Sequence, residues 1–231
     1  MKVMSIGGCC ADLAFLDKNV RVPGPVDNWF ALYGLKSVFG LFTDFGEQIK
    51  RGWVEKKPGR VGYEGDSDTD FSYKEYECRH LNMEDQRIVE KVLNRYSSFL
   101  EHWNRVKTEP DCYFSYVLNT KDRVKSNGKW VLSDSTVDTL KKIDGFFPLD
   151  KLIIVGTPLV KLRQGFEFYI DVVPKWINYV NVCDVRFRYG NDEAGKVPAQ
   201  QQFNRYMEKL KSGKQDISLT VQCEEQDDWE D

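Results

Sequence analysis

Val3-Met4-Ser5-Ile6-Gly7-Gly8-Cys9-Cys10-Ala11-Asp12-Leu13-Ala14-Phe15-Leu16 is the stretch that decides the fold. It opens as a short apolar run of the kind that makes a buried strand. It then passes two glycines and continues as an amphipathic helix with Leu13, Phe15 and Leu16 on its apolar side. Glycine tolerates the backbone angles of a sharp strand-to-helix turn. Such a turn presents the next side chain, Cys9 or Cys10, at the mouth of a sheet and at a helix N-terminus. The helix dipole there favours negative charge and eases deprotonation of a thiol, one route to a cysteine nucleophile. The same pattern also suits a buried structural cysteine in a tight turn.

Working outward, strands and helices alternate at the start and again from Cys112 onward. This argues for one α/β domain with a mainly parallel central sheet and helices on both faces, a Rossmann-like three-layer arrangement with a hairpin-like insertion. The domain is expected to span residues 1–222, with residues 46–70 as a flap and residues 223–231 as an acidic, disordered tail. The most distinct helix runs over about 83–107, where Ile88, Val89, Val92, Leu93, Tyr96, Phe99, Leu100, Trp103 and Val106 form one apolar stripe. His102 falls beside that stripe and reads as a surface histidine.

Residues 112–118 and 152–155 read as buried strands, and residues 19–22, 71–78, 166–173 and 179–187 as further strands. Weaker strand signals lie at 52–54 and 60–63, separated by a turn at Lys56-Lys57-Pro58-Gly59. Helices are expected over 29–35, continuing with a break near Gly40, over 135–147 with Asp134 as cap, and over 198–211. Residues 121–129 read as a polar loop. Asp27 or Asn28 suits the N-cap of the helix at Trp29.

Composition narrows the function classes. The 231 residues carry a net charge of −3, which gives no global electrostatic case for nucleic acid or an anionic membrane. No apolar run approaches the length of a membrane-spanning helix, and no signal peptide is expected. The six cysteines are Cys9, Cys10, Cys78, Cys112, Cys183 and Cys223. Apart from the first two they are scattered, so they read as free thiols of a cytoplasmic protein. With only His80 and His102 and no CxxC pair, neither a metal nor another cofactor is expected.

Cys10, Asp27 and His80 each follow a predicted strand end, where sites form in parallel sheets. Gly65-Asp66-Ser67 is similar to a short serine-hydrolase signature but lies in an acidic loop, far from the first strand. Three stretches carry a more extended likeness. Ser5-Ile6-Gly7-Gly8-Cys9-Cys10 resembles an "S-L-G-x-x-C" opening, Pro25-Val26-Asp27-Asn28-Trp29 a "P-F-D-W" element, and Cys78-Arg79-His80-Leu81-Asn82 an "F-x-H-x-D" element. The helix with Arg95 and Phe99 and the strand over 113–118 resemble the "R-x-x-R-F" helix and the strand that follows it. Together, over roughly the first 120 residues, they resemble a bacterial domain family of unknown function classed with papain-like cysteine peptidases. Two departures stand out: Asn28 is an extra residue before Trp29, and Asn82 replaces an acidic residue.

The resemblance implies Cys10, rather than Cys9, as nucleophile, His80 as its base, and Asp27 as the group that orients the imidazole, with Asn82 as second choice. Gly7, Gly8 and Ala11 would form the turn and an oxyanion hole. The implied reaction is attack of a thiolate on a peptide, amide or ester carbonyl, by a hydrolase or acyl transferase. A peptide or small acyl compound would be the partner. Two other classes compete. One is a non-catalytic protein whose glycine turn holds a nucleotide or glycan. The other is an interaction module built on Trp29, Trp53, Trp130 and the acidic tail.

Overall fold

A computed structural model describes residues 1–7, 16–24, 30–32, 35–43, 55–58, 69–73, 76–78, 85–156, 158–161, 164–167, 169–182 and 193–213. In chain order they form β1 (Lys2–Ser5), β2 (Arg21–Val22), β3 (Phe30–Leu32), α1 (Leu35–Thr43), β4 (Glu55–Pro58), β5 (Thr69–Tyr73) and β6 (Tyr76–Cys78). Then follow α2 (Gln86–Thr108), β7 (Cys112–Val117), β8 (Arg123–Ser126), β9 (Lys129–Leu132), α3 (Asp134–Asp144) and β10 (Leu152–Gly156). The last are β11 (Pro158–Lys161), β12 (Gln164–Glu167), β13 (Asn178–Asn181) and α4 (Glu193–Lys211).

The central sheet has five strands in the order β13-β10-β7-β1-β2, and every pair is parallel. Ranked along the chain, these strands lie second, first, third, fourth, fifth. That order reverses direction between β1 and β7, which makes a switch point in the parallel sheet. All six residues of β7 and all five of β10 are buried, as expected for parallel strands covered on both sides.

Strand alternation divides the core in two. Met4, Phe114, Tyr116, Leu152 and Ile154 join one cluster with side chains of α1, α2 and α3. Val3, Tyr113, Val117, Ile153, Val155 and Val180 join another with Phe203, Tyr206 and Met207 of α4. The chain is thus α/β around a mainly parallel sheet, as its opening stretch implied.

Several local expectations do not hold. Phe30–Leu32 is a strand paired with β6, so the helix read from Trp29 does not form there, and the next helix begins only at Leu35. Gly40 lies inside that helix rather than breaking it, because its neighbours Val38, Leu41 and Phe42 are buried in the first cluster. Residues 71–78 are two strands of a hairpin, not one. Lys56-Lys57-Pro58 is strand rather than turn: it pairs with Asp70, Phe71 and their neighbours in an antiparallel hairpin. That pairing bears out a hairpin in the insertion, while the strand signals at 52–54 and 60–63 lie outside the described residues.

The loop read over 121–129 is mostly the β8–β9 hairpin. Its turn is Asn127-Gly128, with φ of 50° and 78°. This is a strong short-range hairpin signal, and the charge of the flanking residues masked it. Ser133, not Asp134, caps α3, accepting from the Thr136 N–H. Asp85 caps α2 and accepts from the Arg87 N–H. Within the stretches read as strands at 166–173 and 179–187, the described strand pairings are β12 and β13, with a single bridge from Val172 to Val131.

Candidate functional site

The switch point lies between the carboxyl ends of β1 and β7. The pairing of these strands runs on past β1: the Ile6 N–H donates to the Ser115 carbonyl at 2.9 Å, and the Val117 N–H donates to the Gly7 carbonyl at 3.1 Å. Gly7 then turns out of the sheet with φ of 132°, a value that side chains with a Cβ rarely adopt. The chain therefore leaves β1 at the switch point, where open parallel α/β sheets place ligands.

The predicted residues Gly8, Cys9, Cys10, Ala11, Asp27, His80 and Asn82 lie outside the described residues, and only Gly7 lies within them. Two close approaches among the flanking residues bear on them. A Cβ on Gly24 would stand 2.8 Å from the Ser5 carbonyl, so the chain leaving β2 passes against the end of β1. Phe30 and Cys78 are register partners in the antiparallel β3–β6 pair. Asp27 is three residues before Phe30, and His80 is two residues after Cys78.

Sequence reasoning missed Asp122, which stands beside this edge. Its carboxylate is 1% exposed and accepts four hydrogen bonds. One oxygen takes the Leu35 N–H at 2.8 Å and the Thr136 hydroxyl at 3.2 Å; the other takes the Asn119 N–H at 2.8 Å and the Tyr116 hydroxyl. Burial pushes this carboxyl up, and the four donors pull it back. The bond to Leu35 satisfies an orphan donor at the start of α1 and ties that helix to the end of β7. In sequence Asp122 is one charged residue in a polar stretch, and nothing local marks it as buried.

Two other residues bear on the chemistry. Cys112 is a free, buried cysteine, and its thiol donates to Glu109 Oε2 at 3.1 Å. Burial and then that carboxylate push the thiol up, so Cys112 lacks the character of a nucleophile. His102 is buried at 1% exposure, not a surface histidine: α2 carries it against Phe114, and Nε2 donates to the Tyr113 carbonyl at 2.8 Å. It sits near the amino end of β7, away from the switch point.

Among the described residues no cluster of three metal-ligating side chains exists, and no helix is long and apolar enough to cross a membrane. No known protein family, curated protein or solved structure matches the chain.

Proposed function

We propose that the protein is a cysteine-dependent hydrolase or acyl transferase of papain-like type, with Cys10 as nucleophile, His80 as base and Asp27 as the positioning residue. The observation that carries this reading is the pair of close approaches between flanking residues. Gly24 against Ser5 brings the chain that leads to Asp27 to the end of the strand that leads to Cys10. The Phe30–Cys78 register makes Asp27 and His80 continue from the same end of one antiparallel pair. The turn at Gly7, at the end of β1, begins the stretch that leads to Cys9 and Cys10.

In this reading the Cys10 thiolate, held as an ion pair with the His80 imidazolium, attacks a carbonyl carbon. The carbonyl π electrons move onto oxygen, where backbone N–H groups near Cys10 and Ala11 receive the charge. Collapse of that species expels the amine or alcohol, which takes its proton from His80. Water, or an acceptor nucleophile, then gives a proton to His80 and attacks the thioester, releasing the acid or the transferred acyl product and the free thiol. Asp27 holds the imidazole in the required tautomer. A peptide or small acyl compound is the substrate class, and the protein acts as a cytoplasmic enzyme without a cofactor.

The test is alkylation with iodoacetamide near pH 6, mapped by mass spectrometry. A single fast site at Cys10, slowed at least tenfold in His80→Ala and to a lesser degree in Asp27→Asn, is the expected result. Cys9→Ala should leave it unchanged. Uniformly slow labelling of all six cysteines would overturn the catalytic reading and favour a binding role for the glycine turn.

A further inference from the structure

The β8–β9 hairpin turns on Asn127-Gly128, the one Asn-Gly pair in the sequence. Every residue from Lys125 to Lys129 is exposed. Both turn residues have positive φ, and a Cβ placed on Gly128 would meet no atom within 4 Å. Among the described residues, neither the Asn127 side chain nor the Gly128 N–H has a hydrogen-bond partner. An asparagine side chain can close onto the next backbone nitrogen when its own amide is not held and that nitrogen is not shielded. Glycine, without a Cβ, shields it least. Lys125 and Lys129, each two residues from Asn127, favour the amide anion that this closure needs.

Asp144-Gly145 offers the same ring closure from a carboxyl group, and the structure holds it shut. Asp144 Oδ1 accepts the Leu149 N–H at 3.3 Å, and the Gly145 N–H donates to the Lys142 carbonyl at 3.2 Å. The two sites differ in what restrains them, not in the residue that follows. The turn is also connected to the central sheet. A two-residue turn makes Ser126–Lys129 a hydrogen-bonded pair, so the backbone groups of Trp130 face away from β8. There the Trp130 N–H donates to Asp171 Oδ2 at 2.5 Å, and the Trp130 carbonyl accepts the Asp171 N–H at 2.9 Å. One residue earlier, the Ile170 N–H donates at 2.9 Å to the hydroxyl of Tyr179, on β13.

We propose that Asn127 is a self-modification site, converted by water to aspartate and isoaspartate, and that the isoaspartate form loosens the hold of β9 on Asp171. The Gly128 nitrogen, deprotonated by hydroxide, attacks Asn127 Cγ. The side-chain nitrogen takes a proton from water and leaves as ammonia, and a succinimide ring remains. Water then opens the ring. Cleavage of the bond between Cγ and nitrogen gives aspartate. Cleavage of the bond between nitrogen and the α-carbonyl carbon gives isoaspartate, whose main chain runs through Cγ. The net change is amide and water to carboxylate and ammonium, with nothing oxidised or reduced. Aspartate followed by glycine still suits the turn. Isoaspartate adds a methylene to a main-chain turn only two residues long, so Ser126 and Lys129 no longer meet in register. Trp130, the next residue, then loses the alignment that holds Asp171.

The experiment ages the full chain near pH 8 in water enriched in oxygen-18 and maps the label by mass spectrometry, with electron-transfer fragmentation to separate isoaspartate from aspartate. Residue 127 should take up label at least tenfold faster than any other asparagine or Asp144, with isoaspartate as the major product. Ageing near pH 6 should slow it, because less of the Gly128 nitrogen is deprotonated. Asn127→Gly keeps a glycine at each positive-φ position and removes the reacting amide, so that variant should take up no label there. Isoaspartate-containing protein is then separated by ion exchange. Its Trp130 and Asp171 amides should exchange hydrogen at least tenfold faster than in fresh protein, with β7 unchanged. Aged Asn127→Gly should match its own fresh sample. Label entering residue 127 no faster than other asparagines would overturn the modification site. Unchanged exchange at Trp130 and Asp171 in the isoaspartate form would overturn the link from the turn to the sheet.

Discussion

The two sides of the central sheet are built differently. On the side of α1, α2 and α3, aromatic rings close around Phe42, with Phe99 at 5.1 Å, Phe147 at 5.2 Å, Trp103 at 5.3 Å and Phe114 at 5.9 Å. The buried carboxylate beside that cluster, Asp122, has four donors. On the α4 side the strands contribute aliphatic side chains apart from Tyr113, and three buried hydroxyls, Ser5, Ser115 and Tyr206, have no partner among the described residues. Ser5 and Ser115 are register neighbours. One side therefore gains from dense packing and satisfied polar groups, while the other carries the desolvation cost of unpaired hydroxyls. Unmade hydrogen bonds cost more than made ones contribute, so substitutions on the two sides should have opposite signs.

The largest expected effect is at Phe42. Phe42→Ala removes the ring on which five others converge and should cost about 4 kcal/mol in urea unfolding. A loss under 1 kcal/mol would mean that the aromatic side is not the tightly packed one.

Next is Asp122→Asn. Each carboxylate oxygen accepts one backbone N–H, so an amide must turn its NH2 toward one of them, whichever way it flips. A loss of about 2 kcal/mol is expected. Unchanged stability would show that the network is not what ties α1 to β7.

His102 gives a pH test at the boundary of the aromatic side. Burial holds its pKa below the ordinary histidine value, although the Tyr113 carbonyl pulls upward, and Nδ1 has no partner among the described residues. The unfolded chain therefore binds a proton more readily than the folded one. Stability should be full above the unfolded pKa of about 6.5 and fall as pH drops below it, by at most about 1.4 kcal/mol per pH unit, until the folded-state pKa is passed. His102→Gln should flatten that limb of the profile. A wild-type profile already flat between pH 6.5 and 5 would contradict a neutral buried ring.

The smallest effects should come from Ser5→Ala and Ser115→Ala, expected to raise stability by about 0.5 kcal/mol each by removing an unpaired buried hydroxyl. If either instead cost 1 kcal/mol or more, that hydroxyl would be shown to have a partner and the contrast between the two sides would narrow.

Periodicity and glycine placement were enough to read the α/β class, the long α2 helix, the buried strands β7 and β10, and the strand β1 that ends in a glycine turn. These depend on local patterns: an apolar stripe at helical spacing, an unbroken apolar run, and a residue without a Cβ where φ is positive. Cys10, Asp27 and His80 were picked out the same way, on types and order in the chain. What needed tertiary structure was whatever depends on distant partners. Phe30–Leu32 is strand because Tyr76–Cys78 lies beside it, and Lys56-Lys57-Pro58 is strand because β5 does. Asp122 and His102 carry no sequence mark of burial; the three helices packed over β7 take them out of water. Strand order was equally out of reach, since reversal between β1 and β7 is a choice of neighbours, and neighbours far apart in the chain are selected by packing rather than by local propensity.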